Sequence, residues 1–166
     1  MDIEVGCTRV LDTPVGRLAI SASDQALVEL SFLGGKDTRL EFSSSDLAAA
    51  QVQNAATWLL NYFAGNRADY SGPLDLAGTE FQQAVWREIS SIKHGQTLSY
   101  GQIAHRIGKP KASRAVGAAV GANPIPLIVP CHRVMGSSGK ITGYSGGDGI
   151  PTKRKLLALE QIEYTE

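Results

Sequence analysis

The chain has 166 residues, enough for one domain or two small ones with a real core. It has no apolar run of about 18 residues, which excludes a membrane span, and its start, Met1-Asp-Ile-Glu4, lacks a basic-plus-apolar signal pattern; a cytoplasmic monomer is expected. Net charge is zero, yet residues 1–78 carry 5 basic and 10 acidic side chains while 79–166 carry 11 and 6. Within 93–155 there are 10 basic residues and only Asp148 against them. An acidic module fused to a basic one points to a polyanion partner.

In chain order, a strand near Thr8–Leu11 leads into a turn at Thr13-Pro-Val-Gly16. Arg17–Ser21 and Ala26–Leu33 read as further strands. Ser45 or Asp46 caps a helix running to about Ala64, with Leu47, Val52, Ala55, Leu59, Leu60 and Phe63 as its buried face. Residues 67–78 hold Gly72-Pro73 without periodicity and read as a linker. Thr79-Glu-Phe-Gln82 is a capping box that opens a helix with Phe81, Val85 and Ile89 inward. A second box, Ser99-Tyr-Gly-Gln102, opens a short helix ending at Gly108, and Lys111–Ala122 forms the next helix. Asn123-Pro124 stops it, because the residue before proline disfavours helical geometry.

Short helix, glycine turn and second helix make a helix-turn-helix pattern. The second helix carries Lys111, Ser113 and Arg114 near its start, followed by small residues at Ala115, Gly117, Ala118, Ala119 and Gly121. Small side chains permit close approach to another surface, either a neighbouring helix or a DNA groove. The last helix spans about Pro151–Ile162, with Lys153-Arg-Lys155 near its start and Glu160 near its end.

The unusual chemistry lies in Ile128-Val-Pro-Cys-His-Arg-Val134, where an apolar stretch carries a thiol, an imidazole and a guanidinium. Buried polar groups need partners or cost stability, and cysteine beside histidine suggests an activated sulfur nucleophile. Neighbours on an extended segment face opposite ways, so direct contact of Cys131 with His132 is not assured, and a bridging water or a bend is the expected link. Glu160 is one of three acidic residues after Asp148 and a candidate to orient the imidazole. The bland alternative is a small buried cysteine and a satisfied core histidine. Zinc spacing is absent, with histidines only at positions 94, 105 and 132 and cysteines only at 7 and 131, and no metal or cofactor is expected. The stretch Gly136–Gly149 has 6 glycines and matches no nucleotide-binding loop; its backbone amides could approach a ligand closely.

Pro130-Cys-His-Arg-Val134 resembles the signature of the O6-alkylguanine-DNA alkyltransferases. The similarity extends over Phe81–Trp86, Ser99-Tyr100, Ser113–Gly117, Asn123-Pro124, Ser138-Gly139, Gly143–Gly147 and Leu156–Glu160. The resemblance implies an α+β chain: an N-terminal domain, 1–75, with an antiparallel sheet plus helix in a ribonuclease H-like layout, then a mostly helical, winged helix-turn-helix-like domain, 79–166. It also implies single-turnover transfer of an alkyl group from O6 of guanine, or O4 of thymine, in double-stranded DNA to Cys131.

In that family's terms, His132 and Glu160 would relay the thiol proton through water, and Tyr100 would hold a phosphate and protonate the departing guanine. Arg114 would fill the space left by a flipped base, with Ser113, Ala115 and Gly117 against the minor groove. Asn123 would be a hinge. The carbonyls of Cys131 and Val134, the Ser145 amide, Tyr144 and Gly146 would receive the base. Asp148-Gly-Ile-Pro151 is a short extension relative to the family pattern. An alkyltransferase-like lesion binder would lack the cysteine, a transcriptional regulator would need a sensor domain, and a Cys-His peptidase sits poorly with a basic segment.

Overall fold

The computed structural model describes residues 4–35 and 41–166, so all but Glu4 of the N-terminal tetrapeptide lies outside the described residues. The chain divides between Leu76 and Ala77 into two compact units.

The first unit is a four-stranded sheet with one helix. Strands β1 (Cys7–Thr13) and β2 (Gly16–Ala22) form a hairpin, and β3 (Leu27–Leu33) and β4 (Phe42–Ser43) complete an antiparallel sheet of order β3-β2-β1-β4. Helix α1 (Asp46–Phe63) starts at Ser45, whose side chain accepts from the Ala48 amide, and packs on β1, β2 and β3. Leu18, Ile20, Leu27, Leu30, Val52 and Leu59 are fully buried, each such side chain contributing about 1.5–3 kcal/mol.

Two expectations fail here. Leu47 and Leu60 are 64% and 54% exposed. Val52, Ala55 and Leu59 face inward as expected, but they are joined by Ala48, Ala56 and Tyr62, because small residues let the helix lie close to the sheet. Nor is the linker stretch 67–78 free along its whole length, although the boundary between the units falls within it. The Leu27 amide donates to Pro73 O (3.0 Å), the Asp75 amide donates to Leu27 O (2.9 Å), and Trp58 Nε1 donates to Ala68 O (2.9 Å). The segment is bonded to β3, which aperiodic sequence does not reveal.

The second unit is mostly helical. Both capping boxes form: Thr79 with Gln82 opens α2 (Glu80–Ser90), and Ser99 with Gln102 opens α3 (Tyr100–Arg106). Gly108 turns the chain at φ +76°, a conformation open to glycine, and α4 (Ser113–Gly121) follows, two residues shorter at its start than periodicity suggests. Val116, Ala119 and Val120 face inward. Trp86, buried on α2, donates from Nε1 to Ala119 O at 2.8 Å and pins the two helices together.

Strands β5 (Leu98–Ser99) and β6 (Val134–Met135) pair in parallel. Helix α5 (Ile150–Leu159) ends the unit, with Glu160 as its C-cap rather than inside the helix. Met135, Ile141, Leu157 and Ile162 form one buried cluster around α5. Among the described residues no helix is long and apolar enough to cross a membrane.

Candidate active site

The segment carrying the thiol is not extended. Cys131–Arg133 forms one turn of 3-10 helix between Pro130 and β6. Its bonds are Cys131 N to Val129 O (2.8 Å), Arg133 N to Pro130 O (2.9 Å) and Val134 N to Cys131 O. The chain thus bends at this pair, where an extended segment would face the two side chains apart. Upstream, Asn123 clamps the approach: its Oδ1 accepts from the Ile125 amide (2.9 Å) and its Nδ2 donates to Val129 O (2.8 Å). Between those bonds Leu127 is held at φ +73°, a conformation costly for a branched side chain.

Cys131 is a free thiol, 5% exposed, on the wall of a pocket of about 480 Å³. That volume falls within the usual range for small-molecule sites, about 300–1,000 Å³. Tyr100, Ser113, Arg114, Gly117, Cys131, Tyr144 and Ser145 share its lining with Val120, Gly121, Thr142 and Gly143. Thus seven sequence-predicted residues from α3, α4, the 3-10 turn and the glycine-rich loop meet at one cavity.

The other predicted residues lie around it. His132 and Glu160 are buried and are not in the lining. Ala115 is on the exposed face of α4 with Arg114 and Ala118. Asn123 clamps the loop, Val134 is fully buried in β6, and Gly146 accepts from the Gly149 amide at 2.9 Å. The Ser145 hydroxyl donates to Gly121 O at 3.2 Å, tying the glycine-rich loop to the end of α4.

The imidazole of His132 is bonded through Nε2 to Glu160 Oε2, with both side chains at 0% exposure. The other carboxylate oxygen accepts from Arg133 Nε at 2.7 Å and from the Gly95 amide at 3.3 Å. Arg133 also donates from Nη1 to Ile92 O at 2.7 Å. Burial pushes His132 below its ordinary value of 6.5, against the pull of Glu160; Arg133 and Lys153 push the same way as burial. A neutral imidazole that donates from Nε2 to a carboxylate has its other nitrogen, Nδ1, as a base.

Burial pushes the Cys131 thiol up, while Asn123, the Tyr144 hydroxyl 4.0 Å away, and the charge of Lys153 pull it down. Burial therefore opposes the thiolate, while the groups around it favour the anion.

Two of the ten basic residues of 93–155 do not belong to any surface. Arg133 is 6% and Lys153 1% exposed. Lys153 donates to Val134 O at 2.6 Å, and burial pushes its ammonium down to about 8 while Cys131 pulls it up. Reading Lys153 with Arg154 and Lys155 as a basic run misses this. The signal lies in the helical phase: Lys153, Leu156, Leu157 and Glu160 recur at i, i+3, i+4 and i+7 and are all buried.

Comparisons with known proteins agree over both units. Residues 80–162 match the family described as 6-O-methylguanine DNA methyltransferase, DNA binding domain. Residues 7–76 match the 6-O-methylguanine DNA methyltransferase, ribonuclease-like domain. The chain is 44% identical over 155 residues to the methylated-DNA--protein-cysteine methyltransferase of Mycolicibacterium paratuberculosis, covering 92% of this chain and 91% of that protein. With the protein of the same name from Methanosarcina acetivorans it shares 41% over 152 residues, 91% and 96% of the two chains. The crystal structure of Mycobacterium tuberculosis OGT in complex with DNA superposes with a TM-score of 0.80 at 45% identity, over 93% of this chain and 92% of that one. With a cysteine facing a pocket, a buried histidine–glutamate pair next to it and both domains matched, the chain belongs to the 6-O-methylguanine DNA methyltransferase family.

Proposed function

We propose that this protein repairs DNA by moving an alkyl group, methyl above all, from O6 of guanine to Cys131 once per molecule. The observation that carries the reading is the thiol on the pocket wall, followed in the same turn by a histidine held by a buried glutamate. A neutral His132 takes the thiol proton, through a bridging water, and Glu160 stabilises the imidazolium that results. The sulfur then attacks the alkyl carbon. The S–C bond forms as the C–O6 bond breaks, and the electron pair leaves with guanine. Tyr100, also on the pocket wall, returns a proton to the purine, and the amide of Ser145, another lining residue, holds its edge; the Val134 carbonyl, expected to help, instead accepts from Lys153 in the core. A thioether has no good leaving group, so the protein is spent.

Guanine reaches the sulfur only outside the base stack, and extrusion costs a few kcal/mol. Arg114, exposed at the start of α4 and bordering the pocket, is the side chain placed to occupy the vacated space. Ala115 and Ala118 beside it are exposed and small, which suits close approach to a duplex groove. The basic residues that remain at the surface supply phosphate contacts. Duplex DNA containing O6-methylguanine tests the reading: the parent protein should restore guanine, and Cys131→Ala should leave the lesion intact while still binding. Restoration by Cys131→Ala would refute the assignment.

A further inference from the structure

Thr142 is not among the residues singled out by sequence, yet it lines the same pocket as Cys131 and Tyr100. Its Oγ1 lies 3.1 Å from the Tyr100 hydroxyl, across 42 residues of chain. Both partners are held in place from behind. The Thr142 methyl sits over Gly136, where an added Cβ would approach Cγ2 to 3.0 Å. The Tyr100 ring sits over Gly117, with Cδ1 and Cε1 3.8 Å from the place of a Cβ there. Tyr100 itself opens α3 immediately after Ser99, the N-cap of the Ser99–Gln102 capping box, so its backbone is fixed. A β-branched side chain has few rotamers. With its methyl against Gly136, Thr142 has its hydroxyl directed to the phenol.

We propose that Thr142 is a positioning residue for Tyr100: it aims the phenol and donates a hydrogen bond to the phenolic oxygen as that oxygen gives up its proton. The inference rests on the alkyl-transfer reading. In the balanced step, the Cys131 thiolate forms the S–C bond and the C–O6 bond breaks toward guanine. The Tyr100 O–H proton passes to the purine, and the phenolate left behind accepts from the Thr142 hydroxyl until solvent returns a proton. A hydroxyl bond to an anion is stronger than one to a neutral group, so it lowers the barrier in the charged arrangement more than in the resting one. The bond also keeps the phenol from turning away from the purine.

The test compares Thr142→Val, which keeps the shape, with Thr142→Ser, which keeps the hydroxyl. Two reactions are read in single turnover: methyl transfer from an O6-methylguanine duplex, and alkylation of Cys131 by iodoacetamide, whose iodide leaves without a proton. Thr142→Val should slow methyl transfer about 10- to 100-fold, the loss expected for a hydrogen bond to a charged group. Iodoacetamide alkylation should be unchanged, Thr142→Ser should recover most of the transfer rate, and Thr142→Val should add nothing in a Tyr100→Phe background. Equal transfer by Thr142→Val and the parent would overturn the proposal, as would parallel loss in both reactions or failure of Thr142→Ser to recover. Absence of methyl on Cys131 in the parent protein would instead overturn the alkyl-transfer reading itself.

Discussion

Glu160, the residue that closes α5, bonds Nε2 of His132 at a place where both side chains are fully buried. The same carboxylate neutralises the Arg133 guanidinium through its other oxygen. One anion therefore serves two neighbours on the turn that carries the nucleophile. Glu160→Gln would leave Arg133 as a buried cation without its counter-charge, and breaking such a pair from one side costs about 3–5 kcal/mol. Urea unfolding should show a loss of that size. Transfer to Cys131 should fall about 100-fold or more, because His132, the base, loses the anion that stabilises its imidazolium. A stability change below about 1 kcal/mol would contradict the shared-anion account.

Acid should destabilise this protein through His132. Burial holds its imidazole below the ordinary value of 6.5 in the folded state. Below that pH the unfolded chain binds a proton that the folded chain refuses, so stability is present above 6.5 and is lost as pH falls toward the folded value. The slope is at most about 1.4 kcal/mol per pH unit for one group. Denaturant midpoints from pH 8 to 5, with His132→Asn as the flatter reference, measure it. A parent profile as flat as that of the variant would be inconsistent with a buried neutral imidazole.

Lys153 should act on the thiol without touching DNA. Its ammonium acts on Cys131 electrostatically from within the core, and its pull on the thiol is downward. Lys153→Met should raise the pH at which iodoacetamide reacts with Cys131. It should also slow that reaction near pH 7.5, because a thiol that holds its proton to higher pH offers less thiolate. Above about 8 the parent ammonium itself loses its proton, so the advantage over the variant should narrow there. Superimposable pH profiles would remove Lys153 from the account.

Arg114 belongs to DNA handling and not to sulfur chemistry. Arg114→Ala should lose at least about tenfold in rate on a duplex, where a base must be extruded at a cost of a few kcal/mol. It should react nearly as fast as the parent with a free O6-alkylguanine base. Equal losses on both substrates would count against the base-displacing role. Affinity of the parent for duplex should fall with salt, by about 0.9 in log units per phosphate contact for each log unit of salt.

The helical scaffold of the site is readable in the sequence because its signals are local. The Thr79–Gln82 and Ser99–Gln102 boxes, Gly108 and Asn123-Pro124 each act within a few residues. The 3-10 turn at Cys131–Arg133 is not readable, because it depends on Pro130 and on the loop clamped by Asn123. The two-residue strand β4 and the bonding of Pro73 and Asp75 to Leu27 are likewise set by partners distant in sequence. Lys153 looks like a surface cation by charge alone, and only its helical phase with Leu156, Leu157 and Glu160 places it inside. Thr142 is invisible because its partner, Tyr100, lies 42 residues away.

The most direct measurement follows the methyl group. Duplex DNA carrying O6-methylguanine labelled in the methyl carbon is mixed with the protein, and label per chain is counted before peptide mapping. The account predicts that label saturates at one methyl per molecule, all of it on the peptide containing Cys131, with unmodified guanine left in the DNA. Continued release of label beyond one equivalent, or label on any other residue, would contradict it.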